Sequence, residues 1–126
     1  MTAKPEGYDR EFTTIIDLRA QIRAGLSTER GAVTRFFVQL EYWLDGEWLE
    51  VVRFDHNPET EMGHDITKEG LHMDIYRDGE KYRTKEDFPP VELNRAPRYC
   101  TVYIRDNADR LIRSFEQWHN VNETDR

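Results

Sequence analysis

Between Thr34 and Leu44 the apolar positions recur every second residue. Phe36, Val38, Leu40, Tyr42 and Leu44 alternate with Arg35, Phe37, Gln39, Glu41 and Trp43. A period of two puts alternate side chains on opposite faces of a β-strand. The run stops at Asp45-Gly46, a pair suited to a two-residue hairpin in which both turn positions need positive φ. Trp48 to Asp55 is the return strand, Leu71 to Arg77 a third strand, Asp78-Gly79 a second tight turn and Glu80 to Thr84 a fourth strand. Two Asp-Gly hairpins predict an antiparallel sheet of about four strands.

The flanks predict helices. Asp9 can cap a helix that carries Phe12, Ile15, Ile16, Arg19 and Ile22 at helical spacing and stops near Gly25. Phe12, Thr14, Ile16 and Leu18 also alternate as a strand would; the helix is the reading adopted. Residues 85–95, with Pro89-Pro90, read as a loop. Pro97 suits a first helical turn, where its missing N–H costs nothing. From there Cys100, Tyr103, Ile104, Ala108, Leu111, Phe115 and Trp118 share one face of a long helix. Arg98, Arg105, Asp109, Arg113 and Glu116 fall on the other face. Asp106-Asn107 weakens the middle, and a break preceded by a fifth strand is the alternative. The sum is a single α+β domain over residues 9–119, its sheet packed against an N-terminal helix and a long C-terminal helix, with flexible termini at 1–8 and 120–126.

A chain of 126 residues is the size of one domain and can bury a core without staples. The single Cys100 excludes an intramolecular disulfide and suits a reducing compartment; on the apolar helix face it reads as a structural thiol. Met1 to Arg10 is polar, which argues against a signal peptide, and no apolar stretch approaches the roughly 20 residues needed to span a bilayer. A soluble cytoplasmic protein without a membrane partner is expected. The net charge of −7 disfavours non-specific nucleic-acid binding. Four lysines stand against 14 arginines, which leaves room for an arginine-lined anion site and fits the lysine-poor composition of salt-adapted lineages.

Candidate chemistry sits between the two hairpins. The connection from Asp55 to Gly70 holds Asp55, His56, Glu59, Glu61, His64, Asp65 and Glu69, with His72 and Asp74 just beyond. Imidazoles and carboxylates are the usual ligands of zinc, manganese, iron or nickel. No cofactor is otherwise expected; the candidate metal ligands are His56, His64, His72 and Asp74, for a divalent transition metal. His72 and Asp74 are two apart on a strand and share a face with Tyr76, opposite Leu71, Met73 and Ile75 and away from the core. Without metal, a histidine that titrates near neutrality could move a proton from a ribose hydroxyl or a water. The candidate catalytic set is His64, His72, Asp74 and Tyr76. Phosphate-binding glycine loops and the nucleophile-elbow motif are absent.

Asp45-Gly46, Phe54-Asp55-His56-Asn57, Gly63-His64-Asp65, His72-Met73-Asp74 and Tyr82-Arg83 follow one another in an order that resembles the TumE-like proteins, toxin components of prokaryotic toxin–antitoxin pairs. The likeness covers roughly residues 35–84. In that family the histidines cluster tightly; here eight residues separate His64 from His72. The chain also resembles small acidic proteins of salt-loving archaea. The toxin resemblance implies action on RNA or nucleotides and an antitoxin partner. The alternative expectation is a non-catalytic interaction domain: of the hairpin aromatics Phe36, Phe37, Trp43 and Trp48, the outward-facing Phe37 and Trp43 would serve a partner or a homodimer.

Overall fold

The computed structural model describes residues 7–59 and 63–121. Much of the expected flexible termini, 1–6 and 122–126, and Glu61 of the candidate loop lie outside the described residues. Six strands form one antiparallel sheet: β1 (Arg10–Asp17), β2 (Ala20–Glu29), β3 (Ala32–Leu44), β4 (Glu47–His56), β5 (Met73–Arg77) and β6 (Glu80–Lys85). Their spatial order is their order in sequence. A short helix α1 (Ile66–Glu69) lies between β4 and β5, and a long helix α2 (Ala96–Trp118) follows β6.

The N-terminal helix is not formed. Its residues make the hairpin β1–β2, so the sheet has six strands rather than about four. The Asp17 carboxylate accepts the Arg19 N–H at 2.8 Å and fixes the turn, with Leu18 95% exposed at its tip. The helical spacing of Phe12, Ile15, Ile16 and Ile22 is coincidental; Phe12 faces Ala24 and Thr14 faces Ile22 across the ladder. Both Asp-Gly turns form as expected, with Asp45, Gly46, Asp78 and Gly79 all at positive φ. Arg30-Gly31 turns β2 into β3 the same way.

Helix α2 runs unbroken, with Pro97 in its first turn, and packs across β2, β3 and β4. Cys100, Ile104, Ala108, Leu111, Ile112 and Phe115 meet Ile22, Val38, Leu40, Val52 and Phe54 in the core. Burial pushes the Cys100 thiol pKa far up, as a structural thiol requires. Glu116 belongs to this face and not to the outer one: it is buried and accepts the Tyr42 hydroxyl at 2.7 Å.

The opposite face of the sheet is polar yet covered at its centre. Arg23, Gln39, Arg53, Asp74 and Thr84 stand directly opposite one another in a row across five strands. Gln39 is 5% exposed, Glu41 4% and Asp74 4%. Glu41 accepts the Gln21 amide at 2.8 Å and also the Gln39 amide, while Arg53 donates to the Gln39 carbonyl at 2.7 Å. Buried polar groups must be paired in this way to be tolerated. Tyr8 and Phe37 cover one end of the row, their rings edge to face at 5.0 Å. They reach over Gly25, where a Cβ would stand 2.9 Å from Tyr8 Cγ and collide with the Phe37 ring. Phe37 is therefore buried, with the Arg53 guanidinium 4.6 Å from its ring centroid, and not the exposed aromatic of a partner face.

Candidate functional site

The connection from β4 to β5 folds back over the polar face. Two hydrogen bonds pin its ends: Asn57 N–H to the His64 carbonyl at 2.8 Å, and Ile66 N–H to His56 Nδ1 at 3.1 Å. Asp65 caps α1 by accepting the Thr67 N–H at 3.0 Å; it also accepts the Thr67 hydroxyl, and chiefly that second bond holds its carboxyl below the usual range. Buried Ile66 anchors the turn in the core. With both ends held, the loop delivers His64 to the sheet beside Asp74.

His64 and His72 lie with ring centroids 4.0 Å apart and nearly perpendicular planes. One donor atom each from His64, Glu69 and His72 lie within 4.8 Å of one another, a spacing that could hold a metal ion. His64 Nε2 points at carboxylates, 3.7 Å from Asp74 Oδ2 and 3.9 Å from Asp55 Oδ1, while Nδ1 is 3.6 Å from Glu69 Oε1. Asp74 is held rigidly: its Oδ1 accepts the Thr84 hydroxyl at 2.9 Å and its Oδ2 is 3.3 Å from Lys81 Nζ. Arg53 holds Asp55 Oδ2 at 3.2 Å, leaving the buried Oδ1 without a hydrogen bond on the side of His64.

Tyr76 shares the face of Asp74, one pleat further along β5. Burial, reinforced by the charges of Glu50 and Asp74, pushes its phenol up to about 12. Tyr76 is therefore a hydrogen-bond donor at neutral pH and not a base. His56 stands apart from the group. It pairs with Phe36 on the core face, stacks on that ring, and uses Nδ1 to accept the Ile66 N–H. Burial lowers its pKa, against the opposing pull of Asp65 and Asp55. Of the expected ligands, the fold thus joins His64, His72 and Asp74 and turns His56 inward. Glu69 enters in its place; the sequence marked it only as one acid among several in the loop. Trp43 and Trp48 stack edge to face at 5.3 Å across the first hairpin, each partly exposed.

Fold and site together define an α+β domain in which one helix covers one face of an antiparallel meander while a histidine–carboxylate cluster lies on the other. The chain belongs to the family described as Domain of unknown function (DUF7718), whose profile matches residues 5–121. No curated protein and no solved structure matches the chain, so no named relative stands behind the likeness to TumE-like toxins. No helix among the described residues is long and apolar enough to cross a membrane.

Proposed function

We propose that His64, Glu69 and His72 form a divalent transition-metal centre, and that the bound ion activates a water for hydrolysis of a phosphate ester such as RNA or a nucleotide. The observation that carries the reading is the meeting of three donor atoms within 4.8 Å in the β4–β5 connection, from His64 before α1, Glu69 at the end of α1 and His72 just before β5. The orientation of His64 supports it. A metal-ligating histidine usually gives its second nitrogen to a carboxylate. Here Nε2 faces Asp74 and Asp55, which leaves Nδ1 for the ion on the side of Glu69. Two neutral imidazoles and one carboxylate leave coordination positions for water and substrate, and a bound cation lowers the pKa of that water toward neutrality. Lys81 and Arg53 pair with Asp74 and Asp55 and so offset part of the carboxylate charge around the site.

Untagged protein stripped with chelator and titrated with Zn²⁺, Mn²⁺ or Ni²⁺ is expected to take up one equivalent of at least one of them. The His64→Ala/His72→Ala double variant should bind none, and Asp74→Asn should bind about 10- to 100-fold more weakly. Wild-type protein that takes up no metal, or a double variant that binds as wild type does, rejects the centre. The hydrolytic part has its own readout: metal-loaded protein should degrade RNA or a nucleotide, and induced expression should slow growth in a manner lost in His72→Ala. If metal binds and neither effect appears, the centre stands and the hydrolysis does not.

A further inference from the structure

A groove on the far side of the molecule carries a second kind of site. Helix α2 covers β2 to β4 but leaves β1 unroofed, and the open step between them encloses about 500 Å³. Its floor includes Phe12, Ile22 and Leu26 from the helix-facing side of the first hairpin; its wall includes Arg98, Val102 and Arg105 from α2. Phe12 remains 49% exposed and Val102 41%. A concave, mainly apolar space of this size is typical of small-molecule sites.

The charge along the groove selects the ligand. The molecule has 25 acidic residues against 18 basic ones, yet among the described residues no acid lines this space. Arg98 and Arg105 are exposed and have no ion pair or hydrogen bond among the described residues. They lie seven residues apart on one side of the helix, about 10 Å along its axis, close enough for two long side chains to converge on one head group. Arg98 also lies in the first turn of α2, the end whose dipole favours an anion. Two unpaired guanidinium groups beside exposed apolar surface match a ligand that is apolar over most of its length and anionic at one end.

We infer that the groove binds an anionic amphiphile of the fatty-carboxylate class, its acyl chain on Phe12, Ile22 and Leu26 and its carboxylate between Arg98 and Arg105. The site is independent of the histidine cluster. The test is a titration of wild-type protein with decanoate well below its micelle concentration, followed by amide NMR shifts and calorimetry. Saturable one-to-one binding is expected, with shifts confined to β1, β2 and the first half of α2. Shortening the chain to octanoate removes two methylenes, each worth up to about fourfold in affinity when buried. Arg98→Gln/Arg105→Gln should bind at least tenfold more weakly while folding normally, because both side chains are exposed. Val102→Asp should also weaken binding, and His64→Ala/His72→Ala should leave it unchanged. No saturable binding, equal affinity in the double glutamine variant, or equal affinity for uncharged decanol overturns the inference. So does an acidic amphipathic helical peptide that displaces decanoate and binds more tightly, which would make the groove a protein-docking face.

Discussion

His56 and His64 are eight residues apart, and the fold gives them opposite environments. His56 is held neutral, because its Nδ1 accepts the Ile66 N–H and burial disfavours the imidazolium. A histidine whose folded pKa lies below its ordinary value of about 6.5 contributes stability that is fully present above that value. The contribution is lost as pH falls through the folded pKa, since the unfolded chain takes up the proton first. Urea unfolding of wild-type protein between pH 8 and pH 5 should therefore lose stability below about pH 6.5, at up to about 1.4 kcal/mol per pH unit for this one group. In His56→Gln the slope should flatten, even if the variant starts from lower stability. Parallel slopes in the two proteins would show that His56 carries no pH dependence. At this scale the alternation of strand side chains puts His72 and Asp74 on one face in the sequence, and both lie beside His64 in the fold. The sequence could not disclose that Glu69 replaces His56, since that depends on how Asn57 and Ile66 close the loop.

The two elements flanking the central sheet differ in how well their patterns could be read. The α2 face was legible because seven apolar positions hold one period over 19 residues, from Cys100 to Trp118, and only Glu116 was placed on the wrong side. The first hairpin misled because Phe12, Ile15, Ile16 and Ile22 fit a helical face by chance. The run Thr13-Thr14-Ile15-Ile16 was the better guide: four consecutive β-branched residues disfavour a helix and favour a strand. Arg30-Gly31 was missed as a turn because arginine seldom takes positive φ, whereas Asp-Gly announces it. The helix is tied to the sheet by the Tyr42–Glu116 hydrogen bond and the adjoining Tyr42–Phe115 ring contact. Tyr42→Phe keeps the ring contact and removes a buried bond to a carboxylate. It should cost about 1.5–3 kcal/mol in denaturant unfolding; a loss under about 0.5 kcal/mol would mean that the hydroxyl contributes little to docking the helix.

For the molecule as a whole, the polar face and the loop form one body only if the loop stays closed. A metal held by His64, Glu69 and, immediately before β5, His72 would fasten that closure, because the ion binds the folded arrangement and not the open chain. At a free metal concentration one hundred times the dissociation constant, the folded state gains about 2.7 kcal/mol. The thermal midpoint of wild-type protein should rise accordingly on adding the ion it binds, and that of His64→Ala/His72→Ala should not move. An equal rise in both would place the stabilising ion elsewhere. Hydrogen exchange at Asn57 and Ile66, whose N–H groups pin the loop, should slow in parallel.

Among the described residues each strand pairs in the sheet only with its neighbours in sequence. Four of the five strand pairings are closed by tight turns, so little chain entropy is lost in each, and the β4–β5 connection is the exception. The helix is the opposite case: Tyr42 and Glu116 are 74 residues apart. Docking the helix therefore closes the longest loop, and contacts of such separation form slowly. Until the helix docks, the side of the sheet carrying Ile22, Leu40, Val52 and Phe54 is bare, and that interval is when newly made copies are most prone to stick to one another.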